Sequence, residues 1–266
     1  MIDFNSLVKI TTFGQGAVLF NIIVGVHGDE HAPVKAVDML KEYLKNKPIA
    51  KSFRIIIANT KALKSNKRFI ETDLNRCFPG KRDGMYEEEL ANYLLVLLGQ
   101  VEYNFDFHTT SFPVKPYGLF STYSLEIKRL LPRLGLSNYI FSDNDCLIKF
   151  AKNGIGFEMG CESQNKTNIE TYKLMRRILE RFGVIPNSVN KMNISKVNLL
   201  LIYGALYKKT FLFLNKNIKD FDLIKCGTYV GTSKLRHKIF AKNNFYPIWA
   251  HNSRLINLAR KIVIKD

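Results

Sequence analysis

The sequence predicts an α/β fold around a mixed, mostly parallel sheet, with a small β-rich unit after it. Three observations carry that expectation. Residues 17–26 (AVLFNIIVGV) and 53–58 are continuous apolar runs of strand length, as expected of strands buried on both faces. Between them Pro33 opens a segment in which Val34, Val37, Leu40, Tyr43 and Leu44 recur at helical spacing. Strand, helix, strand implies a βαβ unit and a parallel pair. Over 197–249, short β-prone runs alternate with turns at Cys226, Gly227 and Val230, Gly231.

The remaining elements follow in order. Residues 68–84 hold Pro79, Gly80 and Gly84 and read as a loop. Residues 86–98 read as a helix, with Glu87, Glu88 and Glu89 at the positive end of its dipole. A short strand over 103–107 runs straight into His108. Residues 124–134 look helical despite Pro132, and 139–141 and 155–159 look like strands. In the helix expected over 167–182, Thr167 and Glu170 form a capping-box pattern and Gly183 supplies the stop. The polar, helix-breaking stretch 184–195 is the expected linker, dividing a larger domain (1–190) from a small C-terminal β-rich unit (191–266). A short helix over 253–262 is expected to end the chain.

Composition narrows the function classes. With 266 residues, 46% of them hydrophobic, the chain can bury a sizeable core. The net charge of +17 comes from 40 basic residues against 23 acidic ones, but the basic residues are scattered and form no arm. Nucleic-acid binding is therefore the minority expectation, and a diffuse positive field suits a small anionic substrate equally well. The longest apolar stretch, near 199–206, is too short to cross a bilayer and contains Gly204. No basic cluster precedes an apolar stretch in residues 1–10, so no signal peptide is expected and a cytoplasmic location is. Cys77, Cys146, Cys161 and Cys226 are widely spaced, which fits a reducing compartment and leaves any metal to His and carboxylates. Homo-oligomerisation is left open.

The chemistry gathers at strand ends. His27, Gly28, Asp29 and Glu30 follow an apolar strand and precede a helix, the position where open α/β sheets bind ligands. Gly28 permits the tight turn that lets His27 and Glu30 close on one ion. His108 follows a second strand, and strand alternation puts Asp106 on its side, where a carboxylate can hold the spare ring N–H. Two histidines and one glutamate leave a fourth position open for water, the pattern of catalytic zinc. Asn75 and Arg76, side by side in the loop, can grip a carboxylate together, and Arg68 is a second donor nearby. Glu158 lies inside a glycine-flanked apolar strand, where a buried carboxylate is costly unless paired; service as a general base is one good reason for it.

As a set, HGDE, NKRFIETDLNRCFPG, DFHTTS and GFEMG resemble the succinylglutamate desuccinylase/aspartoacylase family, relatives of the zinc carboxypeptidases, in family order over about 21–160. The resemblance implies a carboxypeptidase-like three-layer α/β domain with a small C-terminal β domain shaping the substrate entrance. It implies one Zn²⁺ per chain held by His27, Glu30 and His108, with Glu158 as the acid/base. Arg68 would polarise the scissile carbonyl, and Asn75 and Arg76, with Thr109 as a further contact, would bind the substrate. The implied activity is hydrolysis of the amide of an N-acyl amino acid, a small anionic substrate.

Two departures stand out. Aspartoacylase-like members carry a further arginine shortly before the G-x-E-x-G strand, where this chain offers Lys149 and Lys152. They also carry a tyrosine after a strand near the C-terminus, where Tyr246, Pro247, Ile248 and Trp249 are here followed by His251, Asn252, Ser253 and Arg254. His31 and His237 are read as outside the chemistry, and His251 as a candidate for the entrance. Two other readings compete: a carboxypeptidase-like hydrolase of short peptides or cell-wall fragments, and a basic nucleic-acid binder with an idle metal site.

Overall fold

The computed structural model describes residues 4, 7–144, 146–187, 196–207, 211–250 and 255–261. The first strands are β1 (Lys9–Phe13) and β2 (Val18–Val24), followed by helix α1 (His31–Leu44) and β3 (Ser52–Ile57). Every residue of β3 is buried, as are Phe20 to Val24 of β2, and β2 pairs β3 in parallel through the α1 crossover. The βαβ unit expected from residues 17–58 is present.

Next come α2 (Thr60–Ser65), a single 3-10 turn at Leu74–Arg76, α3 (Tyr86–Leu98) and β4 (Tyr103–Thr110). Helix α3 has the bounds read from the sequence. Its Glu87 does more than face the dipole: it is fully buried and accepts the backbone N–H groups of Ile70, Glu71 and Thr72 at 2.7, 3.0 and 3.1 Å. That one carboxylate anchors the loop carrying Arg68 to Arg76. The chain continues through β5 (Tyr117–Phe120), α4 (Leu125–Leu134), β6 (Asn138–Phe141), the short α5 (Leu147–Phe150), β7 (Gly154–Cys161) and α6 (Thr167–Arg181). The C-terminal part supplies β8 (Asn198–Tyr207), β9 (Phe211–Leu214), β10 (Tyr229–Ser233), β11 (Lys238–Phe240), β12 (Tyr246–Ile248) and β13 (Leu255–Lys261).

Ten strands form one mixed sheet in the order β1-β3-β2-β4-β7-β5-β6-β8-β13-β12, and β11-β10-β9 form a small antiparallel sheet. Helices cover both faces. Helices α1, α4 and α6 pack with Phe20, Phe105, Phe107 and Phe157 on one face, and α3 and α5 pack with Ile23 and Ile56 on the other. That is the three-layer α/β architecture with a small β unit. Of the strands beyond residue 196, β8, β12 and β13 extend the large sheet rather than the small one. The expected division at 190/191 falls in 188–195, outside the described residues.

Two local expectations are corrected. The helix expected over 253–262 is strand β13 across Leu255–Lys261, antiparallel to β8; residues 253, 254 and 262 lie outside the described residues. A register shift between Leu258 and Ala259 puts buried Ile256 and Ala259 three residues apart, a spacing that imitates a helix. The capping box on α6 is also absent: Lys166 is the N-cap, and the Thr167 hydroxyl instead donates to the Cys161 carbonyl at 2.6 Å. Gly183, at φ +65°, does end that helix.

Candidate functional site

The C-terminal end of β2 delivers His27 and Glu30 through a turn that presses against α2. A Cβ on Gly28 would lie 2.1 Å from the Ala62 carbonyl carbon and 2.4 Å from the Lys67 oxygen, so only glycine fits this close approach. Strand β4 runs past the expected end at Phe107, and His108 lies within it. Parallel register pairs His108 with Glu158 on β7, and antiparallel register pairs Glu158 with Tyr117 on β5. Cross-strand partners share a face, so these three side chains stand on the same side of the sheet.

His27 Nδ1 lies 2.7 Å from Glu30 Oε1, and His108 Nδ1 lies 3.0 Å from Glu30 Oε2. On their far sides, His27 Nε2 lies 3.1 Å from Asp73 Oδ1 and His108 Nε2 lies 2.8 Å from Asp106 Oδ2. A carboxylate only accepts, so each Nε2 carries a proton and a neutral imidazole then presents a lone pair at Nδ1. Both lone pairs face the carboxylate of Glu30. Two acceptors cannot share a short contact, so either protons or a cation must sit between them. His27, Glu30 and His108 are all buried, each offering one ligand atom within 4.8 Å of the others, and can hold a metal ion. The donor set fits: two imidazole nitrogens oriented by carboxylates and one carboxylate oxygen.

The electrostatics agree with that arrangement. Burial disfavours the charged imidazoles, yet Asp73 and Glu30 raise the pKa of His27, and Asp106 and Glu30 raise that of His108 well above the ordinary value. Burial likewise opposes ionisation of Glu30, but the two imidazoles hold its carboxyl far below the usual range. Glu158 goes the other way: burial, opposed by His108 and reinforced by Glu30, raises its pKa to about 8. Its Oε2 is shielded from solvent and has no hydrogen-bond partner among the described residues.

Arg68 is half exposed; its Nε and Nη2 donate to Asp73 Oδ2 at 3.1 and 3.0 Å, and its Nη1 stands 3.7 Å from Glu30 Oε1. Asn75 Oδ1 accepts the Leu147 backbone N–H at 3.0 Å, which fixes the amide against the loop before α5. Arg76 is exposed and bonds its neighbour's carbonyl through Nη1 at 2.8 Å. Thr109 donates its backbone N–H to Glu30 Oε2 at 3.0 Å and its hydroxyl to Glu162 Oε2 at 2.9 Å. All nine residues singled out by the sequence line one cavity of about 940 Å³.

Four further contributors were not singled out. Asp73 sits inside the quoted DLNR motif, and only its distance to His27 reveals that it orients that ring. Glu162 holds Thr109 and accepts the Ala32 N–H at 3.0 Å. Tyr117 and Trp249 line the cavity, with Trp249 Nε1 donating to the Tyr117 hydroxyl at 2.9 Å. Lys149 and Lys152, the offered replacements for the further arginine, do not line it. Lys149 pairs with Asp143 and Lys152 with Glu102. His31 bonds Asn66 away from the site, His237 does not line the cavity, and His251 lies outside the described residues. Nor does the overall charge carry into the cavity: among its described lining residues six are acidic and two, Arg68 and Arg76, are basic.

The site thus sets a buried His-Glu-His group that could hold a metal ion beside the Glu158 carboxylate, in a three-layer α/β domain. Residues 20–117 match the family described as Succinylglutamate desuccinylase/Aspartoacylase catalytic domain. Probable aspartoacylase of Prochlorococcus marinus is 25% identical over 192 residues, 67% of this chain and 64% of that relative, just under two thirds of its length. Probable aspartoacylase of Nostoc sp. is 28% identical over 217 residues, covering 71% of this chain and 70% of that one. In three dimensions, succinylglutamate desuccinylase/aspartoacylase from Rhodobacter sphaeroides superposes with a TM-score of 0.74 at 17% identity, covering 96% of this chain and 89% of that one, a likeness of fold. Over residues 20–117 the chain is thus similar to the succinylglutamate desuccinylase/aspartoacylase family.

Proposed function

We propose that this protein is a zinc-dependent amidohydrolase that splits an N-acyl amino acid into a carboxylic acid and a free amino acid. The observation carrying this reading is the convergence of two imidazole Nδ1 atoms on Glu30, beside a glutamate whose buried oxygen has no partner among the described residues. Bound by His27, Glu30 and His108, zinc supplies a Lewis acid and lowers the pKa of a water to about 7.

The chain's own groups do the rest. Asp73 and Asp106 fix the two imidazole tautomers so that both Nδ1 lone pairs face inward. Glu158 takes the proton of the attacking water on its free carboxylate and hands it to the leaving nitrogen as the C–N bond breaks. Burial keeps that carboxyl far above the ordinary carboxylate range, where it can accept and release a proton near neutrality; a cation nearby brings it down. Arg68 polarises the scissile carbonyl and steadies the developing oxyanion. Asn75 and Arg76 bind the carboxylate of the amino acid, with Thr109 at the edge. The unit over 191–266 shapes the entrance through Trp249 and Asn257, which line the cavity. Among the described residues no helix is long and apolar enough to cross a membrane, and we assign the enzyme to the cytoplasm.

The test is a hydrolysis screen of N-acetyl, N-succinyl and N-formyl amino acids beside short peptides. The expected result is release of a free amino acid that stops with a chelator and returns with zinc. Cleavage of peptides alone would favour the peptidase reading. Salt-dependent binding of DNA or RNA without any hydrolysis would favour the nucleic-acid reading.

A further inference from the structure

The cavity has two unlike ends, and the second has no role in the reaction above. Moving outward from Glu158 along the sheet, register sets Leu119 against Ile140 on one face. Ile202, Ile248 and Trp249 continue the lining. Trp249 is fixed from two sides: its Nε1 donates to Tyr117, and its ring meets Phe112 edge-on at 5.8 Å. The polar groups at this end are neutral, Ser142, Asn144 and Asn257, apart from Asp143, whose carboxylate already pairs with Lys149. Among the described residues the cavity's two basic lining residues, Arg68 and Arg76, both belong to the loop at the metal end.

Such a surface disfavours a second carboxylate, which would lose water and, among the described residues, find no cation. It suits an aliphatic or aromatic group. Position says which part of the substrate that group is. Asn75, one of the two carboxylate-binding residues, is bonded to the Leu147 N–H, and Cys146 and Ile148 beside it line the cavity next to the apolar floor. An amino acid carries its carboxylate and its side chain on one carbon. With the carboxylate at Asn75 and Arg76, the side chain falls against Leu119, Ile140 and Trp249.

We infer that this protein selects N-acyl amino acids whose amino-acid side chain is apolar or aromatic, and discriminates against acidic ones such as aspartate and glutamate. The inference rests on the amidohydrolase reading for the placement of the carboxylate, but the apolar end is a property of the cavity by itself.

Trp249 is the chain's sole tryptophan, so its emission reports on this end without requiring turnover. Zinc-loaded protein is titrated with N-acetyl-L-phenylalanine, N-acetyl-L-leucine, N-acetyl-L-aspartate and N-octanoyl-L-aspartate, and the same compounds are assayed for hydrolysis. The expected result is a saturable change of Trp249 emission with the first two, and kcat/KM about 10- to 100-fold higher for them than for N-acetyl-L-aspartate. Ile202, 39% exposed, tolerates a long side chain, and Ile202→Arg is expected to narrow or reverse that ratio. Preference for N-acetyl-L-aspartate, or silence of Trp249 toward N-acetyl-L-phenylalanine, would overturn the inference. Preference for N-octanoyl-L-aspartate would also overturn it, by assigning the apolar end to the acyl chain. Absence of hydrolysis for every compound, with the Trp249 response intact, would instead overturn the amidohydrolase reading alone.

Discussion

The metal end and the apolar end of the cavity are built from neighbouring strands of one sheet, yet they are held in different ways. At the metal end every ring is fixed twice: each imidazole touches Glu30 on one side and an aspartate on the other, and Asp73 is braced in turn by Arg68. At the apolar end the surface is defined by packing, with Ile140, Leu200, Ile248 and Ala259 forming a small buried cluster under it. Hydrogen bonds to charged groups demand particular partners at particular distances, whereas packing accepts many residues of similar volume. The difference teaches that the chemistry of this fold is constrained and its substrate preference is free to drift. Four substitutions at the metal end would break or sharpen that contrast.

The largest effect is expected for His108→Ala, which removes one proposed metal ligand and leaves Glu30 and Asp106 as facing buried carboxylates. Hydrolysis should fall at least about 10³-fold, measured as steady-state turnover at saturating zinc; retained turnover would mean the metal group is idle. Glu158→Gln comes next. Metal content should be unchanged while kcat falls about 10² to 10⁴-fold, so a variant with full activity ends the assignment of the base. Because burial raises the pKa of this carboxyl and a cation lowers it, the acid limb of kcat/KM should fall as pH drops through a value above 4.5 and no higher than about 8. A limb in the ordinary carboxylate range would show that burial is not felt in the working enzyme.

Asp73→Asn should weaken metal affinity about 10- to 100-fold, read by competition with a chromophoric chelator, because His27 loses the carboxylate that sets its tautomer. Affinity equal to that of the parent chain would reduce Asp73 to an anchor for Arg68. The smallest effect is expected for Arg76→Ala, an exposed residue: KM for an N-acyl amino acid should rise about 10-fold with kcat nearly unchanged. A fall confined to kcat would move Arg76 from binding to the reaction itself.

The sequence exposed the metal end far more fully than the apolar end, for a physical reason. His27, Glu30 and His108 fall at the ends of apolar runs, and such runs are legible because burial on both faces erases alternation. Helix α3 was legible for its bounds but not for Glu87, whose three backbone partners lie 15 to 17 residues earlier in the loop it anchors. Strand β5 was missed because it is four residues long and follows prolines, and with it went Tyr117. Strand β13 was misread because a bulge shifted its buried positions to helical spacing. Trp249 was noticed only as a departure from a pattern, since nothing local tells that its ring reaches Tyr117, 132 residues away in sequence. Long-range pairing decides the apolar end, and single-residue patterns do not record it.

The measurement that bears most directly on this account is a zinc titration of the metal-free chain, followed by elemental analysis after gel filtration. One equivalent per chain is expected for the parent chain and for Glu158→Gln, and none for His108→Ala. An unchanged stoichiometry in His108→Ala, or no retained zinc in the parent chain, would contradict it.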